Sequence, residues 1–155
     1  MRLSDHFYLH EMTRSQIATR RAIANHPNSS QIDALRRLCR FVLEPVRQHY
    51  GVPIMPSSGY RCRQLNRLLG SQDTSSHCLG EAVDFEIVGS HNLVLAHWMA
   101  ENLVFDQLIL EYPQRDNGRA GWVHVSYRHS ANRQQCLTRH KSGYVQHLPV
   151  RQNVP

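Results

Sequence analysis

The sequence predicts an α+β fold in which an antiparallel sheet packs against N-terminal helices. Three observations carry that prediction. Ile32, Leu35, Leu38, Cys39, Val42, Leu43 and Val46 recur at helical spacing and form one apolar stripe. Ala82 to Ile87 alternates apolar and polar residues with period two, as a half-buried strand does. Two further alternating runs, 106–111 and 122–126, flank a stretch rich in Pro, Gly, Asn and Asp, the pattern of a long hairpin. A length of 155 residues suits one domain with one core, expected over residues 1–142 with a C-terminal tail over 143–155.

The elements follow in order. Thr13-Arg14-Ser15-Gln16 has the form of a capping box and predicts a short helix to about Ala24. His26-Pro27-Asn28 breaks it, and Ser29 or Ser30 is the expected cap of the striped helix. Pro45 lies inside that stripe and is expected to bend the helix by crowding the carbonyl of Phe41, and Gly51 ends it. Val52 to Ser58 reads as an edge strand, because Pro53 and Pro56 cannot serve a central ladder. Cys62 to Leu69 is expected as a short helix, so Arg61 sits at a strand–helix junction. Ser71 to Ser76 is a polar loop, in which Ser75 is suited to bond the backbone. Ser90 is the expected cap of a helix to Asn102 that buries Leu93, Ala96, Trp98, Met99 and Ala100. Cys136 to Thr138 is a further strand candidate.

Composition narrows the function classes. Hydrophobic residues make up 41% of the chain, which marks it as globular rather than disordered. No apolar run approaches the roughly 18 residues of a membrane span, so no membrane insertion is expected. Met1 to His6 lacks the apolar core of a signal peptide, which gives the expectation of cytoplasmic synthesis. Cys39, Cys62, Cys78 and Cys136 include no CxxC pair and fit a reducing compartment. The net charge is +6, and 17 of the 18 cations are arginine, a surface drawn to anionic polymers. Those arginines are scattered rather than blocked, which argues against a nucleic-acid partner.

The stretch from Ser75 to Asp84 holds the strongest chemical signal. A polar loop leads into His77, bends at Gly80 and enters a strand that carries Asp84, so imidazole and carboxylate can converge on one ion. Imidazole and carboxylate together form a ligand set that zinc accepts in catalytic sites, where a water keeps the last position. Among eleven His and six Asp, about 0.4 pairs at this spacing arise by chance, so the pair needs partners. Alternation supplies them. If Val83, Phe85, Leu108, Leu110, Val123 and Val125 face the core, then Asp84, Glu111 and His124 share the opposite face. Cys78 is a less suitable donor, since it points away from its neighbour His77.

The run Ser-x-His-x-x-Gly-x-Ala-x-Asp at 75–84, followed by Trp-Val-His at 122–124, resembles the zinc D-alanyl-D-alanine carboxypeptidases. That group includes phage peptidoglycan endopeptidases and shares its fold with Hedgehog signalling domains. Ser57-Ser58-Gly59-Tyr60-Arg61, Leu65-Asn66, Asp106 to Ile109 with Glu111, and Val125-Ser126-Tyr127 extend the resemblance, as do Leu3-Ser4 and Thr13-Arg14-Ser15, over roughly residues 3 to 140. The resemblance implies a Hedgehog/DD-peptidase-like fold, Zn2+ held by His77, Asp84 and His124, and hydrolysis of a D-amino-acid-containing bond in peptidoglycan stem peptides. It also implies substrate binding by Arg61, whose fork can hold a carboxylate or a developing oxyanion, and places Ser75 beside the substrate. Many relatives carry a catalytic acid three residues before the last zinc histidine, and others a histidine two before it. Here those positions are Gly121 and Trp122, neither of which moves a proton at neutral pH. Glu111, on the shared polar face, is therefore the expected base.

Small size and the Leu-Ser-Asp-His-Phe opening suit a phage-like source, with action on the cell wall after lysis or delivery. Carboxypeptidase and endopeptidase both remain open, and a monomer is the expectation. The alternative to an enzyme is a non-catalytic, zinc-stabilised module that grips cell wall or serves a structural role.

Overall fold

The computed structural model of the protein describes residues 1–150; residues 151–155, the end of the expected tail, lie outside the described residues. Two short helices open the chain, α1 (Leu9–Thr13) and α2 (Gln16–Arg20). Thr13 closes α1, with its hydroxyl donating to the Leu9 carbonyl, and is not the cap of the next helix. Ser15 is that cap: its Oγ accepts from the Ala18 N–H. The helix that follows is shorter than predicted and ends at Arg20.

Helix α3 (Ser29–Leu38) is capped by Asn28, not by Ser29 or Ser30. Asn28 accepts from the Gln31 N–H while the Gln31 side chain accepts from the Asn28 N–H, a reciprocal box that satisfies two free donors. Cys39–Leu43 then widens into a π-turn before α4 (Glu44–Tyr50). Pro45 falls in the first turn of α4, where the loosened spiral accommodates its missing N–H. Leu35, Leu38, Val42 and Val46 are fully buried, as the stripe predicts. Residues 52–58 form no strand: Ser57 and Ser58 bond the Asp84 backbone, and Ser58 makes an isolated bridge to it. Helices α5 (Arg63–Leu68) and α6 (Ser76–Leu79) follow, the second a single turn that carries His77.

The sheet contains β1 (Ala82–Phe85), β2 (Gln107–Glu111), β3 (Trp122–Ser126), β4 (Gln135–His140) and β5 (Gly143–Val145), in the order β1-β3-β2-β4-β5. Helix α7 (Asn92–Asn102) joins β1 to β2; His91, not Ser90, stands at its cap, and Asn92, Leu95, Ala96 and Met99 are buried while Leu93, Trp98 and Ala100 are partly buried. Leu108 lies opposite Val125 and Leu110 opposite Val123, the register that the apolar alternation predicts. These residues pack with Val83, Phe85 and the α3–α4 stripe in one core. Among the described residues, no helix is long and apolar enough to cross a membrane.

The sheet is mixed rather than purely antiparallel, because β4 runs parallel to β2. Beyond β3 the chain is drawn around the start of β2 before it pairs. Arg133 grips Asp106 there, with Nε and Nη2 at 2.8 and 2.7 Å from the two carboxylate oxygens. The next strand therefore enters from the same end as β2. Gly143–Val145, expected as tail, pairs with β4, and Leu148 packs on the core.

The bonds from Arg133 hold the Asp106 carboxyl below its usual range. A carboxyl depressed in the folded state adds stability above its unfolded pKa near 4, and this is lost as pH falls through the folded value. Urea unfolding of Asp106→Asn is expected to show a loss of about 2 kcal/mol at pH 7 and a shallower decline between pH 5 and 3 than the wild type. Identical pH slopes would contradict this role for Asp106.

Candidate metal centre

His77 is positioned by a one-turn helix fastened at both ends. Ser75 accepts the His77 N–H at 3.4 Å through its Oγ. Gly80 closes the turn at φ +73°, where a Cβ would press on the Gln31 carbonyl at the start of α3. The His77 Nδ1–H donates to the Gly59 carbonyl at 2.7 Å; a carbonyl can only accept, so the lone pair lies on Nε2. That Nε2 stands 3.3 Å from Asp84 Oδ1.

Asp84 and His124 meet because β1 and β3 pair with these two residues opposite each other. His124 Nδ1 is 2.8 Å from the same Asp84 Oδ1. One donor atom from each of His77, Asp84 and His124 lies within 4.8 Å of the others. Zinc bound tetrahedrally at about 2.0–2.1 Å requires donors roughly 3.3 Å apart, so the set fits with small adjustments. Cys78, the less suitable candidate, is not part of the group.

Charge favours the same use. Burial pushes the His77 imidazole down, keeping it neutral and able to offer a lone pair. Burial alone would raise the Asp84 carboxyl, but the flanking His77 and His124 outweigh it and hold the carboxyl well below the usual range. Arg61 adds a second clamp: its Nη2 donates to Asp84 Oδ2 at 2.6 Å, and its Nε to Ser58 Oγ at 2.7 Å. The backbone of residue 58 exchanges bonds with Asp84, so the proline-rich segment fixes the carboxylate from outside the sheet. Arg61 thus orients Asp84, and its other N–H groups are left to face a neighbouring cavity. For Ser75 the observed contact is the helix cap.

Glu111 is buried on the same face of the sheet, opposite Trp122 and beside the His124 row, but outside the three-residue group. Burial raises its carboxyl, and the Asp84 charge adds to the rise; Arg139 and His124 oppose it. Arg139, on the parallel neighbour β4, reaches Glu111 Oε2 with Nη1 at 3.5 Å. Its guanidinium lies 5.2 and 5.3 Å from the ring centres of Tyr112 and Tyr144. Sequence reasoning missed Arg139, because only the parallel pairing brings it beside Glu111. It also missed the Gly59 carbonyl, a backbone group without any side-chain signature.

Gly121 explains why position 121 carries no acid. It adopts φ +74°, and a Cβ there would overlap the Glu111 carbonyl. The close approach that seats Glu111 beside β3 excludes any side chain at 121.

A family model described as Peptidase M15 matches residues 5–126, a span containing His77, Asp84, Glu111 and His124. The chain belongs to the M15 peptidase family. Comparison with curated proteins finds no match. M15 peptidases are zinc-dependent, and the His77–Asp84–His124 group could hold a metal ion with a donor set that zinc takes. Membership makes this protein a metallopeptidase.

Two substitutions probe the geometry. Gly121→Asp is expected to lower the thermal midpoint by several degrees without adding a usable acid. Arg139→Gln leaves burial of Glu111 less opposed, so its carboxyl should titrate at higher pH, as read by carbon NMR of the labelled side chain. An unchanged Glu111 titration would contradict the proposed electrostatic role of Arg139.

Proposed function

We propose that this M15 metallopeptidase hydrolyses a D-amino-acid-containing peptide bond in bacterial peptidoglycan, with zinc held by His77, Asp84 and His124 and with Glu111 as general base and acid. The single observation that supports this most is the convergence of two imidazoles and one carboxylate beside a buried glutamate whose carboxyl is raised. Three protein ligands suit a catalytic zinc, whereas structural zinc takes four.

When bound, zinc supplies Lewis acidity and lowers the pKa of a coordinated water to about 7. Glu111 takes the proton of the attacking water as the new C–O bond forms. It then hands that proton to the departing amine as the C–N bond breaks. Burial raises the Glu111 carboxyl above the ordinary carboxylate range, which suits it to carrying the proton between the two halves of this exchange. Asp84 stays ionised through its contacts with His77, His124 and Arg61, and the Gly59 carbonyl holds the His77 ring in the ligating tautomer. The free N–H groups of Arg61 are suited to the developing oxyanion or to a substrate carboxylate.

The other reading is a zinc-stabilised module that grips cell wall without cutting it. It is favoured by Gly121 and Trp122 at positions where many relatives carry a proton-transfer group. Digestion of purified cell walls separates the two. Zinc-loaded protein is expected to release peptide fragments, and a chelator to abolish release until zinc is restored. Glu111→Gln should keep one zinc per chain and lose about 10²–10⁴-fold in turnover. Native turnover in that variant would overturn the assignment of the base, and no digestion by the wild type would overturn the enzymatic reading.

A further inference from the structure

Arg61 lines a cavity of about 600 Å³, within the size range of small-ligand pockets. Its lining includes the apolar Ile17, Leu65 and Leu69 and the cationic Arg14 and Arg61, with no acidic residue among the described residues. Arg61 is fixed by its bonds to Asp84 and Ser58. Arg14 is exposed, and among the described residues its side chain has no hydrogen-bond or ion-pair partner.

The two arginines share this cavity because of one buried side chain. Asn25 Nδ2 donates to the carbonyls of Thr13 and Tyr60, at 2.8 and 3.0 Å, the residues immediately before Arg14 and Arg61. Asn25 Oδ1 accepts the Cys62 N–H at 2.7 Å, and the Tyr60 N–H donates to the Met12 carbonyl at 2.7 Å. The helical opening of the chain is thereby locked against the loop that holds the metal-ligand aspartate. The result is a preformed cationic notch with aliphatic side chains in its lining, connected to the metal centre through Arg61.

We propose that this cavity is a subsite for a carboxylate-bearing portion of the substrate beyond the scissile bond, with Arg14 as the specificity-determining cation. The inference rests on the peptidase reading above. Guanidinium groups match carboxylates in fork geometry, and peptidoglycan stems carry free carboxylates on short aliphatic residues. Arg61 shares its charge with Asp84 and keeps only its remaining N–H groups for substrate, so Arg14, whose charge is unpaired among the described residues, is the group that discriminates acid from amide.

The test measures binding by calorimetry to zinc-loaded Glu111→Gln protein. The probes are the stem pentapeptide L-Ala-γ-D-Glu-L-Lys-D-Ala-D-Ala and the same peptide with either carboxylate amidated in turn. One of the two amidations is expected to weaken binding about 5- to 10-fold, as loss of a charge-assisted contact does. Arg14→Gln should weaken the free-acid peptide to the level of that amide and leave the amide unchanged. Arg14→Glu should reverse the preference, with zinc content and thermal midpoint unchanged in both variants. Equal affinity for all three peptides, no binding of any, or an equal loss for acid and amide in Arg14→Gln would overturn the subsite. Failure of the wild-type protein to digest cell walls would instead count against the peptidase reading, so the two failures are distinguishable.

Discussion

A buried carboxylate needs donors around it, and the need of Asp84 organises this protein. The side chain is nearly inaccessible to water, and leaving it unpaired would cost several kcal/mol. His77, His124 and Arg61 approach it from a one-turn helix, a neighbouring strand and a loop, while the backbone of Ser58 bonds its own main chain. Three segments of the chain are thus tied to one residue. The same arrangement gathers three groups that could hold a cation, keeps Asp84 charged and leaves His77 neutral.

The placement of Glu111 follows from a different constraint. Glu111 sits at the end of β2, where the chain leaves the sheet through Tyr112 at φ +51° and returns through Gly121. The Glu111 backbone and Gly121 come so close that no side chain fits at 121. A buried carboxyl, Glu111, therefore stands on the neighbouring strand rather than just ahead of His124. Arg139, flanked by two tyrosine rings, tempers the effect of burial on it.

Much of the site was legible in the sequence, because a period of two converts residue type into face. Val83, Leu108, Leu110, Val123 and Val125 announce the core, and Asp84, Glu111 and His124 then fall together. The cap at Asn28 was misread because Ser29 and Ser30 are equally good cap residues, and only the reciprocal bond with Gln31 decides among them. The parallel strand was not legible: it depends on the long-range grip of Arg133 on Asp106, which has no local pattern. Asn25 and the Gly59 carbonyl act through single long-range bonds, invisible to periodicity for the same reason.

The central claim is that one zinc ion is held by His77, Asp84 and His124 with a position left for solvent. X-ray absorption at the zinc edge of the loaded protein tests it most directly. The expected result is two imidazole nitrogens and light oxygen donors at about 2.0–2.2 Å, with the imidazole signal reduced in His77→Ala and His124→Ala. A sulfur donor at about 2.3 Å, or an imidazole signal that survives loss of either histidine, would contradict it.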